Sequence, residues 1–221
     1  MFKSSEERKQ ESMMILSKLK IPYIEHLPAI EDSTQVELKD VDLICKKAIA
    51  TLLIIQVAHD ALRGEFKKSK GLFSDELKKY GVEEYLSRKE NNVLNGYYSK
   101  QDLLDITWEY ETYWALVWAL GLIDSEEMDI PNKNADWMKA IRLVSESNSY
   151  EDFKAEVKLR SIEEILDMLD LYYRYNWATV EARVRSRGRL KISHEVVVER
   201  RKGLEWLISS EDDWDNISLD T

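Results

Sequence analysis

Glycine and proline are both scarce in this chain, 7 and 3 among 221 residues. Sheets need frequent turns, and turns draw on these two residues. The shortage therefore argues against a strand-rich fold and for a few long helices. Cysteine is rarer still: Cys45 stands alone, so an intramolecular disulfide or a cysteine zinc site is excluded. The longest uncharged apolar run, Tyr113 to Ile123, falls well short of the roughly 20 residues that a membrane span needs. Met1 to Arg8 contain no apolar stretch of the secretory kind. These absences predict a soluble protein of the reducing cytoplasm, without membrane contact.

Catalytic signatures are missing too. No two glycines stand one residue apart, which excludes the dinucleotide fingerprint and the phosphate loop. There is no Gly-x-Ser-x-Gly elbow. The three histidines, His26, His59 and His194, form no His-Glu-x-x-His, and none has a glutamate three residues before it. That excludes the zinc-protease helix and the di-iron bundle motif. Asp213-x-Asp215-Asn216 lacks the glycine and closing glutamate of a calcium loop. No cofactor and no metal are expected. His59 lies on an apolar helix stripe and reads as a packed, hydrogen-bonded core histidine.

The net charge is -10. An acidic chain repels phosphate backbones, so nucleic acid is disfavoured as a partner. A basic protein partner is favoured, although many inert soluble proteins are equally acidic.

What is present is core material. Hydrophobic residues make up 44% and charged residues 33%, with seven Trp and eleven Tyr, the composition of a globular chain with one sizeable core. Helices are predicted over 5–20, 40–62, 74–81, from the Ser87/Glu90 capping box, over 99–120, from caps at Asn134 and Ser149, over 161–187 and over 193–208. Tyr23 to Glu37, flanked by Pro22 and Pro28, reads as extended. In the second helix Val41, Ile44, Cys45, Ala48, Leu52, Ile55 and Leu62 recur at helical spacing, and Ala48 to Ala58 is apolar nearly all round. The expected fold is all-α, a single multi-helix domain with two long central helices, 40–62 and 161–187.

One internal similarity stands out. Gln35 to Ile44 aligns with Glu156 to Ile165, and Glu111, Leu116 and Trp118 match Glu199, Leu204 and Trp206 in spacing. The offsets are 121 and 88 residues. A duplicated helix pair would place 40–62 and 99–121 on 161–187 and 193–208; chance likeness of two helix starts is the alternative.

The candidate polar residues lie on these helices. Trp108, Trp114 and Trp118 are assigned to one face with Glu111 among them. A carboxylate there must find a cation or take up a proton, and Arg160 and Arg174 are the expected cations. Such a group reads either as a buried structural ion pair or as a raised-pKa acid lining a pocket. On the later helix, Ile162, Ile165, Leu166, Leu169, Tyr173, Trp177 and Val180 form the expected core stripe. Asn176 beside it needs internal partners, and Asp170 is spaced for an i,i+4 pair with Arg174. Residues 183–202 hold eight Arg/Lys against two Glu, and 205–221 hold six acids and no base. The tail, 211–221, is expected to dock through Trp214, Ile217 and Leu219. Its Asp213, Asp215 and Asp220 would then meet Arg183, Arg200 or Arg201.

Three blocks follow one another: Val157 to Trp177, then Glu199-Arg-Arg-x-x-Leu-x-Trp-Leu207, then Trp214-Asp-x-x-x-x-Asp-Thr221. With Trp108 to Leu122, they resemble the bacterial domain-of-unknown-function family 4272 from about Ile15 onward. Glu111, Arg160, Asp170, Arg174, Trp177, Glu199, Arg200, Trp214 and Asp220 match the family pattern, with Trp206 inside its second block. The resemblance implies a domain and no reaction. The functional expectation is a non-catalytic binding or interaction module, one version being an acidic immunity-type protein that neutralises a basic toxin. The alternative is a hydrolase or transferase that uses Glu111 and an arginine in a tryptophan-lined pocket. A closed ion pair at Glu111 would favour the first; an open cleft of several hundred Å³ around it would favour an enzyme or ligand carrier.

Overall fold

The computed structural model describes residues 2–185, 190–210 and 213–219. Ten helices follow in order: α1 Ser5–Leu19, α2 Val41–Leu62, α3 Phe66–Tyr80, α4 Arg88–Asn95, α5 Lys100–Ala119, α6 Glu126–Asp129, α7 Trp137–Ser145, α8 Tyr150–Ala155, α9 Ile162–Val184 and α10 His194–Ile208. Two 3₁₀ turns, Glu83–Tyr85 and Trp214–Asn216, complete the set, and no strand occurs among the described residues. The all-α expectation holds, and one apolar core runs from Leu16 to Trp214.

Side-chain caps fix the helix starts. Ser4, Ser87, Ser99 and Ser161 each form a reciprocal capping box with the residue three further on, which satisfies amide donors that the helix leaves open. α7 starts from Asp136 rather than Asn134, because the Asp136 carboxylate accepts from the amides of both Met138 and Lys139.

α3 begins eight residues before the predicted Ser74. Gly71 lies inside it on the open surface, at a cost of about 1 kcal/mol relative to alanine. Ser69, Leu77 and Tyr80 are buried, with Phe66 and Phe73 half-buried, on the face turned to α2. That burial outweighs the glycine.

α2 is buried from Ile44 almost to its end, although its last residue, Leu62, is exposed. α9 departs from its predicted stripe. Tyr172, Tyr175 and Asn176 are buried, Tyr173 and Trp177 are only half-buried, and Val180 is exposed. A single stripe cannot describe a helix that packs on α10 along one side and on α1 along another.

α5 lies between α2 and α10, and α10 in turn carries α9. The two helix pairs suggested by the sequence, α2 with α5 and α9 with α10, are thus both packed pairs that meet at the α5–α10 seam. The lead-ins to α2 and α9 make reciprocal contacts with the opposite pair. The Lys39 amide donates to the Leu207 carbonyl at 2.9 Å, and the Arg160 amide donates to that of Ala119 at 2.8 Å. Lys39 lies 5.1 Å over the Trp206 ring, and Arg160 lies 4.8 Å over that of Trp118. Each set maps onto the other at the offsets of 121 and 88 residues.

Two glycines allow the close approaches. At Gly121, with φ +70°, a Cβ would lie 2.3 Å from the Lys158 carbonyl oxygen. At Gly203 it would lie 2.7 Å from the Thr112 carbonyl oxygen and 2.9 Å from the Ala115 Cβ.

The described residues of the tail dock, with Trp214 3% exposed, and Asp213 and Asp215 find partners other than the expected arginines. Asp213 caps its own turn. Asp215 accepts from the Lys89 amide at the start of α4. Arg200 turns inward, and Arg201 pairs with Glu205 while donating to the Leu219 carbonyl. The indole sets the position of the tail. Asp220 and two of the basic-loop arginines, Arg187 and Arg189, lie outside the described residues.

Candidate functional site

Glu111, midway along α5, is 1% exposed. Its Oε2 accepts from Arg200 Nε at 2.9 Å, and its Oε1 accepts from the Ala135 amide at 2.7 Å. The cation is Arg200 from α10, not Arg160 or Arg174. Those two are engaged elsewhere. Arg160 donates to the carbonyls of Trp118 and Ile123 at the end of α5. Arg174 makes the expected pair with Asp170, through two bonds of 2.8 Å, and reaches the Pro28 carbonyl.

Arg200 also donates to the Glu127 carbonyl and the Tyr172 hydroxyl. Burial opposes its charge, but Tyr172 and Glu111 outweigh burial and raise its pKa. Across the seam, Glu199 accepts from Thr112 at 2.8 Å. Glu111–Arg200 and Glu199–Thr112 are equivalent contacts at the 88-residue offset.

The aromatic residues divide. Trp114 and Trp118 are buried on α5; Trp206 of α10 and Trp214 of the tail are buried too and meet edge to face with centroids 5.2 Å apart. Trp108 does not share their environment: it is 37% exposed, because its position on α5 points past the packed seam. It lines a cleft of about 600 Å³ with Gln56, His59, Arg63, Thr107, Tyr110, Glu111, Asn134, Ala135 and Trp137. α2 and α5 form two walls, and the segment entering α7 forms the third.

His59 is therefore a cleft residue, half-buried, with its ring 5.6 Å from that of Tyr110. Its ring makes no hydrogen bond among the described residues. Burial first, then the Arg63 charge, lowers its pKa. Tyr110 accepts from Gln56 at 2.5 Å. Trp137, 58% exposed, completes the opening. Neither Arg63 nor Trp137 carried a sequence signal, since both stand at helix ends and reach the cleft only through tertiary packing.

A second polar cluster lies beneath the tail. Lys47 pairs with Glu90 at 2.5 Å, and Thr51 donates to the same carboxylate at 2.7 Å. Lys202 pairs with Glu109 at 3.2 Å. The Trp214 indole donates to Glu109 at 3.3 Å and lies 4.2 Å beneath Lys47. Burial raises the Glu109 pKa, and the Lys202 charge pulls the other way. The sequence revealed Glu90 only as a cap and gave no sign of Glu109.

Among the described residues no helix is long and apolar enough to cross a membrane, and no cluster of His, Cys, Asp or Glu could hold a metal ion. Neither curated proteins nor solved structures yield a match. Residues 8–217 match the Domain of unknown function (DUF4272), so the chain belongs to that family.

Proposed function

We propose that this protein is a non-catalytic binding module whose ligand site is the cleft between α2, α5 and the start of α7. The observation that carries this reading is the pairing of two exposed indoles, Trp108 and Trp137, on one cleft of about 600 Å³. That volume is in the range of small-molecule sites. An enzyme reading would need Glu111 to exchange a proton. Both of its oxygens are engaged, by Arg200 and by the Ala135 amide, so proton transfer would have to break a buried pair. The cleft offers a basic partner no unpaired carboxylate, because Arg200 neutralises Glu111 and Arg63 pairs with Asp60 at the rim.

A thermal-shift screen of small fragments tests the proposal. Compounds that raise the Tm of the native chain should lose their effect in the Trp108→Ala/Trp137→Ala variant, which removes no buried side chain. Stabilisation that survives the double substitution, or none from the whole screen, would reject the cleft as the site.

A further inference from the structure

The cleft's lining points to the chemistry of its occupant. Four of the lining side chains are rings: Trp108, Trp137, Tyr110 and His59. Buried indoles contribute 150–250 Å² each to a packed core, yet Trp108 keeps 37% and Trp137 58% of its surface exposed. Stacking against a flat ligand would cover part of that exposed area, on the order of 25 cal/mol per Å².

His59 supplies the polar edge. Its lowered pKa keeps the imidazole neutral near pH 7, with one nitrogen donating and the other accepting. The amides of Gln56 and Asn134 also line the cleft.

A cationic ligand would be drawn to indole faces, but it would meet no unpaired carboxylate, because Arg200 neutralises Glu111 and Asp60 is taken by Arg63. A sugar could stack on the same indoles and use the same amides, so maltose stands beside the nucleosides in the test. A polyanion meets a chain of net charge -10.

We propose that the cleft binds a flat, uncharged heteroaromatic ring with both donors and acceptors on its edge, a free nucleobase or nucleoside in chemical class. The ring would stack on Trp108 or Trp137 and place its edge against His59. This inference rests on the reading of the cleft as the binding site.

The test follows the indole N–H resonances by NMR, with Trp108→Phe and Trp137→Phe used to assign the two cleft signals. The probes are adenosine, guanosine and uridine, against tetramethylammonium chloride and maltose. At least one nucleoside should move both cleft signals saturably and leave those of Trp114 and Trp118 in place. His59→Phe, which keeps a ring but removes its polar edge, should weaken that binding at least fivefold. Shifts caused only by tetramethylammonium or maltose would overturn the ligand class and leave the cleft as a site. If no probe moves either signal, both the class and the cleft are overturned. Nucleoside binding unaffected by His59→Phe would remove the polar edge from the account.

Discussion

Removing one half of the Glu111–Arg200 pair strands the other charge in a site that is 2% exposed on both sides. Breaking a buried pair in this way costs about 3–5 kcal/mol, whereas replacing both partners by apolar groups can be nearly neutral. Arg200→Met should therefore lower unfolding free energy by about that amount in urea, and Glu111→Leu/Arg200→Met should lose less than the sum of the two single losses. A single substitution that costs under about 0.5 kcal/mol would mean that the pair is not structural. The need for a cation beside Glu111 was legible from the sequence; its identity was not. Arg160 and Arg174 are closer in the expected order of helices, but their donors are used by carbonyls and by Asp170, and only cross-helix packing brings Arg200 within 2.9 Å. Cys45, fully buried on α2, gives a second prediction at this scale. Burial pushes its thiol up to about 12 from an ordinary value near 9. The neutral thiol is thus favoured in the fold: its contribution to stability is complete below pH 9 and is lost as pH rises toward 12. A thiol reagent at pH 8 should leave the native chain unlabelled and label it fully in denaturant; rapid native labelling would contradict the burial.

Helix starts with a side-chain box were readable because they depend on local chemistry, such as the Ser87/Glu90 and Ser161/Glu164 boxes, whereas α3, which has no side-chain cap, was not. Helix faces were less so. The burial of Tyr172 and Tyr175 rather than Tyr173 and Val180 on α9 follows from two separate neighbours, α10 and α1, and no single periodic stripe encodes two contacts. Glycine inside a helix has the same ambiguity, since its meaning depends on what lies across from it. Gly71 in α3 faces open space, whereas Gly203 in α10 faces the backbone of α5. Opposite signs follow for one substitution. Gly71→Ala should stabilise the protein by about 0.5–1 kcal/mol through helix propensity. Gly203→Ala must push α10 away from α5 and should destabilise it by about 1–3 kcal/mol. Urea denaturation of both variants decides the matter, and a neutral Gly203→Ala would show that the seam is looser than its 2.7 Å approach implies.

At the scale of the whole molecule, the reciprocal contacts at the seam mean that neither helix pair is complete alone. Lys39 and Trp206 come from opposite pairs, as do Arg160 and Trp118, and Glu111 and Arg200. The sequence similarity suggested two like pairs; it could not tell that they would bury themselves against each other, because that depends on which faces remain apolar after each pair has formed. The tail adds to the dependence. Trp214 lies against Lys47 of α2, Glu109 of α5 and Trp206 of α10, so its burial needs both halves of the chain. A cut in the exposed connection at Asn148 should therefore give fragments 1–147 and 148–221 that depend on each other. The shorter one, at about 70 residues, buries too little surface by itself to be secure. Its far-UV circular dichroism should be weakly helical, with no cooperative melt. Mixed in equal amounts, the fragments should regain the helical signal and elute together on gel filtration. Trp214→Ala in the shorter fragment should weaken association at least tenfold, because the indole contributes a few kcal/mol at about 25 cal/mol per Å². Raised salt should act less, since the exposed pairs of the tail are each worth only about 0–1 kcal/mol. If 148–221 is helical and melts cooperatively alone, the seam joins two independent units, and the exchanged contacts are an accessory to the fold rather than its basis.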